Sequence, residues 1–183
     1  MKKLDISEDD LINIGINMAQ REGLSNITIR SFAKEADVSV GTVYQFFKDK
    51  NTLINKIMNS YWKETLNLEV ENIIENSRDF LESLDEIYSL IYKKSLEFHD
   101  FSLNYLMSSK SKPSDNTMDL KLFALKNKLE KLLNKDINVK EKINLITTDD
   151  EFLDFIIDNI LSQIKRRNSN LGFFRKTLEI ILN

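Results

Sequence analysis

The chain has 183 residues, 42% hydrophobic and 30% charged, with one Pro, four Gly and no Cys. So few helix breakers favour long helices over a β-rich fold, and the lack of Cys excludes disulfides and thiol chemistry. The net charge of −3 denies it the strongly basic balance of many nucleic-acid binders, and no apolar run approaches the ~18 residues of a membrane span.

In chain order, the start MKKLDISEDD lacks the apolar stretch of a signal peptide. Ser7 and Asp10 form a capping-box pattern that opens helix 1. Leu11, Ile14, Gly15 and Met18 share one face of that helix, with Ile12, Ile16 and Ala19 beside them, and Gly23 closes it. Thr28 caps helix 2, which turns Ile29, Phe32, Ala33 and Ala36 inward. Ser39 caps a short helix 3 with Val43, Phe46 and Phe47 below it.

From about Asn51 a long amphipathic helix runs to roughly Asn76, and a second from about Arg78 to Phe98. A shorter one covers His99 to Met107. SSKSKPSDNT, residues 108–117, holds the only Pro and reads as a mobile loop. A further helix runs through Leu122, Leu125, Leu129 and Leu132. INVKEKINLI, within residues 135–147, fits either a short helix or a strand-like connector. Thr148 with Glu151 caps a helix over Asp149–Arg166, and a last helix covers about Leu171 to Leu182. The expectation is an all-α fold of about nine helices in two units. Residues 1–50 form a three-helix helix-turn-helix domain, and 51–183 a helical domain.

Helix 3 carries the chemistry. With its apolar residues buried, the other face presents Val40, Gly41, Thr42 and Gln45, with Tyr44 at the flank. Gly41 lets the helix approach a surface closely, the hydroxyls and first-turn N–H groups suit phosphate oxygens, and Gln45 suits an adenine edge. Lys48 and Lys50 follow, and Arg30 lies near the start of helix 2, all suited to a nucleic-acid backbone.

Over Leu11 to Ile54 the sequence resembles the tetracycline-repressor-like (TetR) family. The likeness lies in the spaced apolar residues of helix 1 with Ile14-Gly15 and Gly23, then TIRSFAKEADVS, VGTVYQFFKDK and NTLI. The resemblance implies that Thr28, Thr42, Tyr44 and Lys50 touch the DNA backbone. It implies that Arg30, Val40, Gly41 and Gln45 lie at or near base edges, with Ser39 as cap and Lys48 as a further phosphate contact. Asp37 departs from the family pattern: it stands where Gly is common, in a turn that needs a left-handed residue. Phe46 stands where Tyr or His is usual.

The resemblance also implies a C-terminal half that dimerises and holds a small-molecule pocket. Aromatic and polar candidates for the pocket are Tyr61, Trp62, Tyr88, Tyr92, Phe98, His99, Phe101 and Tyr105. Candidates for the dimer face are Phe152, Phe155, Ile156, Ile160, Phe173, Phe174 and Leu178, because those two helices carry more apolar residues than one face buries. The expected partners are double-stranded DNA with a palindromic operator, a second copy of the chain, and a small-molecule effector that releases a repressor. No cofactor, metal or catalysis is expected: the chain has a single His, no phosphate-binding Gly loop and no clustered ligand motif. A cytoplasmic protein without membrane contact fits these features. The alternative is a protein of the same fold that works through protein contacts instead of an operator.

Overall fold

The computed structural model describes residues 6–97 and 117–182. Every regular element among the described residues is helical. They are α1 (Glu8–Glu22), α2 (Ile29–Glu35), α3 (Val40–Phe46) and α4 (Lys50–Glu64), which continues through Thr65–Val70 and Glu71–Glu75. Then come α5 (Phe80–Leu96), α6 (Thr117–Lys135), α7 (Ile137–Asn144), α8 (Asp149–Lys165) and α9 (Phe173–Leu182). The predicted helix over His99–Met107 and residues 108–116 of the predicted loop over 108–117 lie outside the described residues, and Thr117, the loop's last expected residue, instead begins α6. Among the described residues no helix is long and apolar enough to cross a membrane.

Local chemistry sets the helix ends. Ser7 Oγ accepts from the Asp10 N–H at 3.1 Å, and the Asp10 carboxylate accepts from the Ser7 N–H at 3.0 Å. This reciprocal pairing satisfies two of the donors that a helix start leaves open. The same box at Thr148 and Glu151 opens α8. The ambiguous segment after Lys135 is helical. Asp136 caps α7 by accepting from the Val139 N–H at 3.2 Å, and Val139 and Ile143, four apart, form its buried side. The other oxygen of Asp136 accepts from the Phe80 N–H at 3.2 Å, so one carboxylate serves the starts of both α5 and α7.

The first three helices pack on the first turns of α4. Gly15 is what allows α1 to approach: a Cβ there would overlap the Ile57 side chain. Leu11, Phe32, Val43, Phe47, Leu53 and Ile57 are all fully buried at this junction. The apolar core runs on without a break along α4 into α5, α6, α8 and α9. Midway, over Thr65–Val70, α4 adopts π-helical turns. Thr65 is buried there, and its hydroxyl donates to the Tyr61 carbonyl at 3.1 Å, competing for an oxygen of the helix ladder.

Five of the seven residues expected on a dimer face serve this core instead. Phe152, Ile156, Ile160, Phe174 and Leu178 are at most 4% exposed within the chain itself. The apolar excess of α8, read in sequence as shared with a partner, is taken up by packing on α5, α6 and α7. Phe155 and Phe173 remain exposed.

Candidate nucleic-acid interface

The geometry of α2 and α3 follows from three hydroxyl caps and one left-handed residue. Thr28 Oγ1 accepts from the Ser31 N–H at 3.0 Å, and Ser31 Oγ accepts from the Thr28 N–H at 2.9 Å. Ser31 thus completes a box that the sequence reading missed, because Ser is not the usual residue at its third position. The turn between the helices passes through Asp37 at φ 51°, the left-handed conformation expected of it. Asp tolerates that region at a cost of roughly 1 kcal/mol relative to Gly. Asp37→Gly is therefore expected to raise the thermal midpoint, by about 1 kcal/mol of stability at most. A melting curve of the purified variant checks this, and a lower midpoint would mean that the Asp side chain does more than occupy the turn.

Ser39 Oγ then accepts from the Thr42 N–H at 2.9 Å and starts α3. Val43 and Phe47 point into the core, where Phe47 meets Phe32 edge-on with ring centroids 6.1 Å apart. Phe46 is half-buried beside Phe47. The opposite side of α3 is left to solvent. Val40, Gly41, Tyr44 and Gln45 are exposed, Tyr44 by 52%, while Thr42 is half-buried with its hydroxyl 2.9 Å from Ser39 Oγ. Tyr44 and Gln45 make no hydrogen bond among the described residues, so their polar groups point outward uncommitted.

Cations flank this face. Arg30 and Lys48 are exposed and form no ion pair among the described residues. Lys34, which the sequence reading passed over, is exposed one turn after Arg30 and on the same side of α2. Its signal was the i, i+4 spacing from Arg30. Lys50 differs from these. It is half-buried, and its ammonium donates to the Ser25 carbonyl at 3.2 Å, tying the start of α4 to the turn that follows α1. Next to it Asp49 caps α4, accepting from the Thr52 N–H at 2.7 Å, and that hydrogen bond holds its carboxyl below the usual range. The acids of the segment are thus largely engaged: Asp49 in this cap, Asp10 in its box, Glu35 with Arg21 at 3.0 Å, and Glu8 with Lys56 at 2.7 Å.

Short capped helices, a left-handed turn and an uncommitted polar face at the second helix's start make a helix-turn-helix. The sequence model for "bacterial regulatory proteins, tetR family" matches residues 11–57, the span of α1 through the first turns of α4. Over that segment the chain is similar to the TetR family. That family is described as one of regulatory proteins. An uncharacterized HTH-type transcriptional regulator of Haemophilus influenzae is 28% identical over 90 residues. That match covers 49% of this chain and 47% of the relative, about half the length of each. Among solved structures, the transcriptional regulator FadR from Bacillus subtilis, in complex with stearoyl-CoA, superposes with a TM-score of 0.65 at 16% identity. The alignment covers 94% of this chain and 96% of that one. The fatty acid degradation regulator FadR from Bacillus halodurans gives a TM-score of 0.63 at 14% identity, covering 97% and 98%. These likenesses show that the all-helical fold shared with those two structures extends through the C-terminal half of the chain.

Four of the eight pocket candidates form two aromatic pairs in the C-terminal half. Tyr61 and Trp62 are buried on α4, with rings edge-on at 5.8 Å. Burial, and then its hydrogen bond to Glu97, push the Tyr61 phenol well above its ordinary value. The Trp62 indole N–H is buried with no acceptor among the described residues. Tyr88 and Tyr92 stack on α5 at 6.1 Å, and their hydroxyls donate to the Asn168 and Arg167 carbonyls in the turn between α8 and α9. Burial pushes the Tyr88 phenol up to about 12. Phe98, His99, Phe101 and Tyr105 lie outside the described residues. Among the described residues no group of three or more His, Cys, Asp or Glu is placed to hold a metal ion.

Proposed function

We propose that the protein is a ligand-responsive repressor, with a DNA-reading half over residues 1–50 and an effector and dimer half over residues 51–183. The observation that carries the reading is the outward face of α3. Ser39 caps that helix, Tyr44 and Gln45 stand uncommitted on it, and Arg30, Lys34 and Lys48 stand beside it without partners among the described residues. Gln45 is the base reader and Val40, Gly41 and Arg30 lie close to base edges. Tyr44, Thr42 and Lys48 meet phosphates, and Thr28 and Lys50 hold the scaffold against the backbone. With a net charge of −1 over residues 1–50 (seven Lys/Arg against eight Asp/Glu), long-range attraction is weak and these few cations carry the phosphate contacts.

A two-fold dimer presents two copies of α3 about 34 Å or a multiple apart, and therefore reads a palindrome. Effector binding among the middle helices is supported by the buried Trp62 N–H. It has no acceptor among the described residues, and a buried unpaired donor costs roughly 1–3 kcal/mol, which a bound molecule's oxygen acceptor would relieve. The B. subtilis FadR structure, similar in fold, holds stearoyl-CoA.

Genome-fragment selection with the purified protein tests the reading, with a palindrome as the expected product. Recovery of no fragment, and capture of a protein partner in its place, would overturn it. On the selected operator, Lys48→Gln is expected to weaken binding evenly across sequences and lower the salt slope by about 0.9. Gln45→Ala is expected to relax one base-pair position by roughly 1–3 kcal/mol and to leave the slope unchanged. Salt titrations of both variants separate the two roles.

A further inference from the structure

The end of α5 meets the DNA-reading half at one carboxylate. Glu97 Oε2 accepts from the Tyr61 hydroxyl of α4 at 2.6 Å and from the Gln20 side-chain amide of α1 at 3.0 Å. Its other oxygen lies 3.9 Å from the Lys94 ammonium. Lys94 in turn pairs with Glu69 of α4 at 2.9 Å and sits over the Tyr61 ring, 5.2 Å from its centroid. Groups from α1, α4 and α5 therefore converge on Glu97, whose side chain is only about a quarter exposed.

The position of this carboxylate is itself informative. Glu97 is the C-terminal cap of α5, where the negative end of the helix dipole opposes an acid. Local helix energetics disfavour Glu there, and nothing within α5 except Lys94 offsets it. The compensation comes from the two donors that belong to other elements. A residue whose direct hydrogen bonds both come from other elements depends on those elements staying in place.

We propose that Glu97 is a positioning residue that clamps the reading head to the end of α5, so that a shift of α5 is felt at α1 through Gln20. The inference rests on the regulatory reading above for its purpose, though not for its geometry. Tyr61 lies next to Trp62 and immediately before the π-helical turns of α4, so the clamp grips α4 where its regular ladder gives way. A molecule that displaces α5 or the Trp62 side chain strains two hydrogen bonds on one charged oxygen. Both must break for the head to swing free.

The test is amide hydrogen exchange on the full-length, unliganded protein. Gln20 is exposed on α1, so Gln20→Ala keeps the fold. It is expected to speed exchange in the last turn of α5, Lys93–Glu97, about tenfold, the loss of one charge-assisted hydrogen bond. Tyr61→Phe, which keeps the ring beneath Lys94, is expected to do the same while α8 amides stay unchanged. Exchange that changes only within α1 in Gln20→Ala would overturn the clamp. A second arm measures affinity for a selected operator fragment in a double-mutant cycle of Gln20→Ala and Glu97→Ala. Non-additive losses support the clamp and additive ones overturn it. If the native protein binds no DNA, the repressor reading fails, while exchange still decides the clamp.

Discussion

Phe47→Ala is expected to collapse the three-helix head and, on the function proposed above, to abolish operator binding without touching a single residue on the outward face of α3. Phe47 is fully buried, edge-on to Phe32, with the Lys56 ammonium 5.5 Å from the centroid of its ring. It is also the C-terminal cap of α3, so its backbone turns the chain from α3 toward α4. Truncating a buried Phe costs roughly 3–5 kcal/mol. The head is the place least able to absorb that loss, because α2 and α3 have seven residues each and hold their shape by packing, not by length. A thermal midpoint lower by about 6 °C or more is expected. Proton spectra should show α2 and α3 losing dispersion before α8 does. Retention of native operator affinity by this variant would mean that the α3 face is held from elsewhere.

The parts of this protein that were legible in sequence are those whose causes are local. Ser7 with Asp10, Thr28, Ser39 and Thr148 with Glu151 each sit within three residues of the N–H they satisfy, and all four cap where expected. The left-handed Asp37 was legible for the same reason: the turn's demand and the residue that meets it coincide. The α3 face was legible because Val43 and Phe47, buried, and Phe46, half-buried, take one side of the helix and leave the other for function. The segment after Lys135 was not. Its Asn, Ile and Val have middling helix propensity, and what decides it is a cap whose second oxygen is occupied by Phe80, 56 residues away in sequence.

The site's supporting contacts were hidden for the same physical reason. Lys50 looks free in sequence, yet it reaches Ser25, and Glu97 looks like a solvated helix-end acid, yet it takes donors 36 and 77 residues distant. The dimer face shows the opposite error. Apolar surplus on α8 reveals that something must cover it, but not whether the cover is another helix of the same chain.

That distinction leads to the second large effect. On α9, Phe174, Leu178 and Leu182, spaced by four, are buried against the core. Phe173, Ile180 and Ile181 fall on a second stripe, at i, i+7 and i+8, and are 84%, 80% and 37% exposed. Phe155 of α8, 43% exposed and 5.4 Å from Phe174 edge-on, continues it. One stripe of α9 is thus spent on the monomer and the other has no partner within the described residues. An apolar stripe of this kind on paired helices suits a two-fold four-helix contact, in which the same residues meet themselves across the axis. Phe173→Glu with Ile180→Glu would bring like charges together there. Both positions are exposed, so the monomer should lose little stability, within about 0.5 kcal/mol for each surface change. Glu at residue 173 also begins α9, where the helix dipole favours an acid.

Sedimentation is then expected to show a dimer for the native chain and a monomer for the variant. Operator affinity should fall by roughly 10²–10⁴, because the two half-sites are no longer engaged by one linked pair of heads. A half-site fragment should bind both proteins alike. A variant that stays dimeric and holds its operator would place the two-fold axis on another face of the molecule.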